Sequence, residues 1–329
     1  MPAVSVIMAF HRVTPFLRPA VRSVLDQTCR DLELVLVDNG TGGGLAALGE
    51  DGRDPRIRLL SRPTNEGIAA AHNAAVAAAE ADVIGLLDYD DLARPERFER
   101  QLAALRNQPA TGLVSCGAEA IDEHGRTLGR EFSLAAPEDQ FRYTAYAAPV
   151  VTPAYAGRRA LLAQVPYRTE FRFSADFDFL ARAAERQPFG YVADILLQYR
   201  HHPGQTTVEK AARIARERCV VRLLTARRRA GRPEGGDWRA LLEAPAPDDD
   251  RVAVLEEFSR RFLAEGFPVQ AAYHARQCFG LTRTAPAFFR AARLFARIWR
   301  QGGAERVPAG RMFLRGPVRA LGVRRNALA

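Results

Sequence analysis

The chain has 329 residues, enough for one substantial core and a second, smaller unit. Its hydrophobic content of 47% and charged content of 26% are those of a soluble globular protein. The net charge of +9 is unevenly placed, because residues 281–329 carry eleven arginines against the single acid Glu305 and the rest is close to neutral. No basic-apolar-small leader opens the sequence, so a secretory signal is not expected. No apolar run is long enough to span a bilayer. Cys29, Cys116, Cys219 and Cys278 lack paired spacing, which suits reduced thiols in cytoplasm better than disulfides or a zinc site.

Taken in chain order, residues 4–10 read as a buried strand and 16–27 as a helix with Leu17, Val21, Val24 and Leu25 on its apolar face. Residues 33–38 and 56–61 are further short, β-branched runs. Asn65-Glu66-Gly67 precedes an alanine-rich helix to about Ala81, which feeds a strand at 83–87. Strands alternating with helices predict an α/β fold with a mixed, mainly parallel sheet between helices. Ligands of such sheets bind beyond the carboxyl ends of the strands. Three of those ends are polar here: His11-Arg12, Asp38-Asn39, and Asp88 to Asp91. The turn after the first strand, His11-Arg12-Val13-Thr14-Pro15, has no glycine, which argues against a dinucleotide phosphate loop. Gly40 and Gly42 to Gly44 follow the second strand and read as a flexible loop.

Further on, 112–121 reads as a strand, 137–146 as a helix, 149–153 as extended and 158–162 as the start of a short helix. Beyond 206 the pattern is helical, clearest at 208–229, 251–265 and 269–279, with 231–250 a loop rich in Pro, Gly and Asp. The predicted organisation is a main domain over 1–207, a helical extension over 208–280 and a basic tail over 281–329.

Residues 83–91, Val-Ile-Gly-Leu-Leu-Asp88-Tyr89-Asp90-Asp91, are the most informative stretch. An extended backbone would point Asp88 and Asp90 to one face, where two like charges repel and raise each other's pKa. A divalent cation such as Mg²⁺ or Mn²⁺ resolves that conflict with hard oxygen ligands. The structural alternative is a helix N-cap, with Asp90 or Asp91 capping a helix from about Pro95.

In order and content these segments resemble the family-2 inverting glycosyltransferases of the A-type fold. The resemblance rests on 4–10, on Leu36-Val37-Asp38-Asn39-Gly40-Thr41, and on Asn65-Glu66-Gly67 with its alanine-rich helix. It also rests on Asp88 to Asp91 with Pro95, on 174–182 ending in Arg182, and on Tyr199-Arg200-His201-His202-Pro203-Gly204. It covers about residues 3–207.

What the resemblance implies is a GT-A-like fold for a nucleotide-diphospho-sugar transferase, followed by a helical C-terminal region. Ala9, Phe10, His11, Asp38 and Asn39 would surround the base and ribose of a nucleoside-diphosphate sugar, with Asp88 reaching the ribose or the metal shell. Asp90 would ligate the Mn²⁺ or Mg²⁺ that bridges the phosphates, with His202 close to it, and Asp176 would be the general base. The donor implied is a UDP-sugar. Asn39, where the family commonly has an acid, leaves a dTDP-sugar as the alternative. Phe10 stands where a tyrosine is frequent, Ala175 where a glutamate is usual, and His72 where an arginine is usual. The acceptor would be a hydroxyl of a glycan, a lipid-linked molecule or a small metabolite.

Each assignment has a plain structural counterpart. Asp176 and Asp178 could serve the first turn of a helix, Asp38 could cap a turn, and His202 could hold a turn at Pro203-Gly204. The rival functions are a nucleotidyltransferase, or a non-catalytic scaffold that keeps the fold. Residues 286–300 plot as an amphipathic helix with Phe288, Phe295 and Trp299 opposite Arg290, Arg293 and Arg297. That pattern suits either an anionic membrane surface or packing on the protein, which would put a cytoplasmic enzyme at the inner face of the membrane in the first case. No nucleic-acid module accompanies the charge.

Overall fold

The computed structural model describes residues 1–132, 152–206, 210–243 and 251–281. The chain divides into two compact units, Met1–Pro203 and Gly204–Ala329.

Among the described residues, the first unit is built on a nine-stranded sheet. All seven residues of β1 (Val4–Phe10) are buried, as expected for a strand covered on both faces. It pairs in parallel with β2 (Leu32–Asn39) on one side and β4 (Val83–Leu86) on the other, and β2 pairs in parallel with β3 (Ile57–Arg62). The register sets Phe10 opposite Asp38 and Ile7 opposite Leu86, so the three polar strand ends emerge side by side. The helices α1 (Leu17–Leu25), α2 (Ile68–Ala78) and α3 (Arg97–Asn107) connect or follow these strands.

The other half of the sheet is mixed. After β5 (Leu92–Ala93) come β6 (Leu113–Ile121), β7 (Thr127–Phe132) and β8 (Ala156–Arg158), then the long β9 (Phe189–Arg200). β8 runs antiparallel between β4 and β6, β9 lies parallel to β6, and β5 and β7 are antiparallel to β9 and β6. The spatial order is β3-β2-β1-β4-β8-β6-β9-β5, with β7 on the flank of β6. Among the described residues of this unit, two short helices follow, α4 (Arg159–Gln164) and α5 (Ala175–Ala184).

Several local expectations change. The glycines after β2 lie in a loop as far as Gly43, and a 3-10 helix not expected from the sequence follows over Gly44–Arg53, which Asp51 ties to α1 through Arg18 (2.6 Å) and Arg22 (3.3 Å). The segment 149–153 is described only from Thr152, and Thr152–Ala154 forms a 3-10 turn rather than an extended run. The helix expected at 137–146 lies outside the described residues, as does the tail from 282.

The second unit is helical where it is described. It contains α6 (Ala211–Arg229), α7 (Trp238–Glu243), α8 (Arg251–Ala264) and α9 (Pro268–Leu281). α7 falls within the stretch expected to be loop. Leu223, Val254, Phe258, Phe262 and Ala271 form its apolar interior. Arg227 grips Glu265 with two nitrogens at 2.8–2.9 Å. Among the described residues no helix is long and apolar enough to cross a membrane.

Gly85, in the middle of β4, tests the packing of the main sheet. A β-carbon there would sit 2.4 Å from the Phe98 ring, which is itself fully buried. Gly85→Ala is expected to cost about 1–3 kcal/mol by overpacking, measured as a lower midpoint of thermal or urea unfolding.

Candidate active site

The apolar run of β4 stops at Leu86, and the chain turns at once. Asp88, Tyr89, Asp90 and Asp91 form a tight turn closed by the Asp91 amide donating to the Asp88 carbonyl (3.3 Å). The carboxylates are therefore gathered by a turn and not by alternation along a strand. One oxygen from each of Asp88, Asp90 and Asp91 lies within 4.8 Å of the others. Neither Asp90 nor Asp91 caps the helix that follows: α3 begins after Glu96 and has no side-chain cap.

Two arginines brace this turn. Arg97, at the start of α3, has no exposed surface. Its Nη2 donates to the carbonyls of Leu86 (2.7 Å), Pro153 (2.6 Å) and Tyr155 (3.3 Å), and its Nε to Gln101 (3.2 Å). Burial lowers the pKa of the guanidinium, while Cys116, Asp91 and Asp88 act to raise it. Arg200, the last residue of β9, donates its backbone N–H to Asp91 Oδ1 (2.8 Å) and its Nε to the Asp90 carbonyl (2.8 Å). Its guanidinium also lies 4.9 Å over the Phe16 ring. Sequence reading left both residues without a role, because nothing local distinguishes them from surface arginines.

The electrostatics follow from this crowding. Burial, then the charges of Asp90 and Asp176, push the Asp88 carboxyl up to about 8, against a smaller opposing pull from Arg97. Burial, with Asp90 and Asp88, also raises Asp91 well above the ordinary carboxylate range. Asp91 Oδ2 is buried and takes no hydrogen bond among the described residues. A buried, unpaired carboxylate oxygen beside two more carboxylates is a donor set that fits a hard divalent cation. His202 meets Asp90 across 3.1 Å from Nε2 to Oδ2, with its ring 4.8 Å from that of Phe16.

Asp176 comes from α5, in the first turn of the helix but not at its N-cap, which is Ser174. Its Oδ2 accepts a 2.6 Å hydrogen bond from the Thr152 hydroxyl. It lies close enough to Asp88 to raise that group's pKa, so α5 and the acidic turn face a common space. Asp178, two residues on, is enclosed between Arg182 (2.6 Å) and Arg168 (3.6 Å), the structural role expected of it.

The remaining expected ligand contacts are placed variously. His11 is exposed and meets the Tyr89 ring edge-on at 6.0 Å. Ala9 is 4% exposed, and the Phe10 ring lies wholly within the core cluster and offers no face for stacking on a base. Phe10 is thus a packing residue, because every side chain of β1 is covered. Asp38 and Asn39 are also buried. The Asp38 carboxylate accepts from Thr41 N (2.8 Å), Thr41 Oγ1 (2.7 Å) and Gly44 N (2.8 Å). Burial alone would raise its pKa, but these bonds outweigh it and hold the group below the usual range. The Asn39 amide braces the loop before α2, donating to Asn65 Oδ1 (3.0 Å) and the Gly67 carbonyl (3.3 Å) and accepting from Glu66 N (3.1 Å). His72 is 5% exposed, and burial pushes its pKa down to about 4, so it is neutral and supplies none of the charge of an arginine.

Known proteins are similar to this chain in sequence or in architecture. The profile of glycosyl transferase family 2 matches residues 5–165. An uncharacterised glycosyltransferase of Methanocaldococcus jannaschii is 29% identical over 209 residues, which is 60% of this chain and 71% of that protein. The uncharacterised glycosyltransferase EpsJ of Bacillus subtilis is 35% identical over 119 residues, 36% of this chain and 34% of its own. The chondroitin synthase of Pasteurella multocida is 38% identical over 135 residues, 40% of this chain but 14% of the synthase. Among solved structures, residues 1–349 of S. aureus TarS superpose with a TM-score of 0.57 at 15% identity, covering 92% of each chain. The span that matches glycosyl transferase family 2 contains the acidic turn and Arg97, and Arg200 joins them from beyond it.

Proposed function

We propose that this chain is a cation-dependent, inverting glycosyltransferase. It would move a sugar from a nucleoside diphosphate, UDP in the first instance, to a hydroxyl of a glycan, lipid-linked or small-molecule acceptor. The observation that carries this reading is the meeting of the acidic turn at the end of β4 with the single carboxylate of Asp176 on α5. Support for the donor comes from TarS, which has been solved in complex with UDP and with UDP-GlcNAc. Support for a polysaccharide acceptor comes from the synthases of Pasteurella multocida.

The chemistry asks for two things in different places. Charge builds on the departing diphosphate, and an attacking hydroxyl must lose a proton on the opposite face of the sugar. Asp88, Asp90 and Asp91, with His202 beside Asp90, would hold a Mn²⁺ or Mg²⁺ ion that neutralises the diphosphate. Asp176 would take the acceptor's proton, a contribution of about 10²–10⁴-fold in rate. One displacement, with no covalent intermediate, inverts the anomeric carbon. Asn39, with its amide committed to the 65–67 loop, retains a lone pair on Oδ1 for a base N–H, and that contact carries no charge.

Asp90→Ala is expected to abolish the thermal stabilisation by UDP plus Mn²⁺ together with turnover. Asp176→Asn should bind UDP and Mn²⁺ as wild type does while losing at least about a hundredfold in turnover. Full activity in the second variant would remove Asp176 as the base.

The raised carboxyls set a pH dependence. Between the ordinary carboxylate value near 3.8 and about 8, the folded chain keeps a proton on Asp88 that the unfolded chain has lost. Stability of the cation-free protein therefore falls as pH rises through that window. A cation takes the proton's place, so stabilisation by Mg²⁺ should grow from pH 5.5 to 8, and Asp88→Asn should flatten that trend. A Mg²⁺ shift independent of pH would contradict the assignment of the turn.

A further inference from the structure

We infer that Thr152 is a positioning residue for the reaction, the group that fixes which oxygen of Asp176 faces the acceptor. This inference rests on the reading of Asp176 as the general base. Among the described residues the Asp176 carboxylate accepts one hydrogen bond, from the Thr152 hydroxyl to Oδ2 at 2.6 Å. With Oδ2 committed, Oδ1 is the oxygen left for an incoming hydroxyl. A free carboxylate on a helix surface rotates about its side-chain bonds, whereas a base must present a lone pair within about 2.6–3.2 Å of the proton it removes.

The turn that carries Thr152 does not need this bond for its own stability. Its Pro153 carbonyl is held by Arg97 (2.6 Å), and its Ala154 carbonyl by Gln101 (2.8 Å) and by Cys116 (3.5 Å). These groups are all buried, so the turn is anchored from beneath and Thr152 projects from a rigid platform. Nor does α5 depend on it, since Asp178, not Asp176, supplies that helix's buried ion pairs. The anchor has a further consequence. The Nη2 of Arg97 that holds Pro153 also holds Leu86, two residues before Asp88. One buried guanidinium thereby sets the hydroxyl that orients Asp176 in register with the turn carrying Asp88, Asp90 and Asp91. A base must sit on the opposite side of the sugar from the leaving group, and this shared anchor fixes the separation of the two.

The test compares Thr152→Val, which keeps the shape and removes the hydroxyl, with Thr152→Ser, which restores it. The readouts are UDP release from UDP-N-acetylglucosamine with Mn²⁺, UDP affinity by calorimetry, and thermal midpoint. Thr152→Val is expected to lose about 10–100-fold in kcat, with KM for the donor, UDP affinity and thermal midpoint near wild type. Thr152→Ser should recover to within a few-fold of wild type. In an Asp176→Asn background Thr152→Val should cost little more, because two groups that act as a unit are not additive. Wild-type kcat in a folded Thr152→Val protein overturns the inference while leaving Asp176 as base, provided Asp176→Asn is inactive. A loss seen equally in Thr152→Ser, or one that follows the thermal midpoint, overturns it in favour of a structural role. If Thr152→Val does not fold, Thr152→Ala removes the same hydroxyl without adding bulk and is held to the same outcomes. Full activity of Asp176→Asn, or a wild-type protein inert toward UDP-sugars, removes the base reading and this inference with it.

Discussion

Three carboxylates packed into one turn are the constraint around which the first unit is arranged. With oxygens within 4.8 Å of one another, each fully ionised pair would repel by about 3–4 kcal/mol at the effective dielectric of a protein site. Two such pairs are comparable with the whole stability of a typical domain, about 5–15 kcal/mol. The crowding and burial raise the pKa values of Asp88 and Asp91, and a frame of positive charge and donors surrounds the turn. Arg97 lies beneath, Arg200 lies alongside, and His202 faces Asp90. Among the described residues none of these forms a close ion pair with Asp88, which leaves the turn a donor set that fits a hard cation. A site completed by its own side chains would offer none.

The two arginines also explain the mixed half of the sheet. Arg97 gathers carbonyls from the end of β4, from the 3-10 turn before β8 and from Tyr155, which links that turn to β8. Arg200 reaches the turn because β9 runs the full length of β6 and delivers its last residue there. The parallel strands β3-β2-β1-β4 build one wall of the site, and the antiparallel insertion of β8 brings Thr152, and through it Asp176, to face that wall. Strand order has a chemical consequence here: it sets a single carboxylate apart from a group of three.

The departures from the family pattern take on a physical meaning in the fold. His72 is neutral at any pH near 7 because burial disfavours its charged form, so it supplies none of the charge an arginine would bring to this position. Asn39 spends its amide on the loop before α2, donating to Asn65 and accepting from the Glu66 amide. The Asp38 carboxylate is similarly engaged with Thr41 and Gly44, and its role as a turn cap is structural whatever else it touches.

Much of this architecture is legible from residue order alone. Apolar runs ending in Asp38-Asn39 and in Asp88 to Asp91, with helical periodicity between, specify parallel strands whose carboxyl ends share a site, because those signals are local. The acidic trio and Asp176 stand out in the same way. β9 was not legible: its alternation is broken where the register to β6 slips at Cys116 to Ala118, so neither period fits the whole run. The bracing roles of Arg97, Arg200 and Thr152 were equally hidden, since each depends on partners distant in sequence. By itself, then, the sequence determined the chemistry on offer and the strand ends that carry it. Only the tertiary structure decided which of those groups are enclosed, which face one another, and which buried cation holds them there, because these follow from long-range packing that no local pattern encodes.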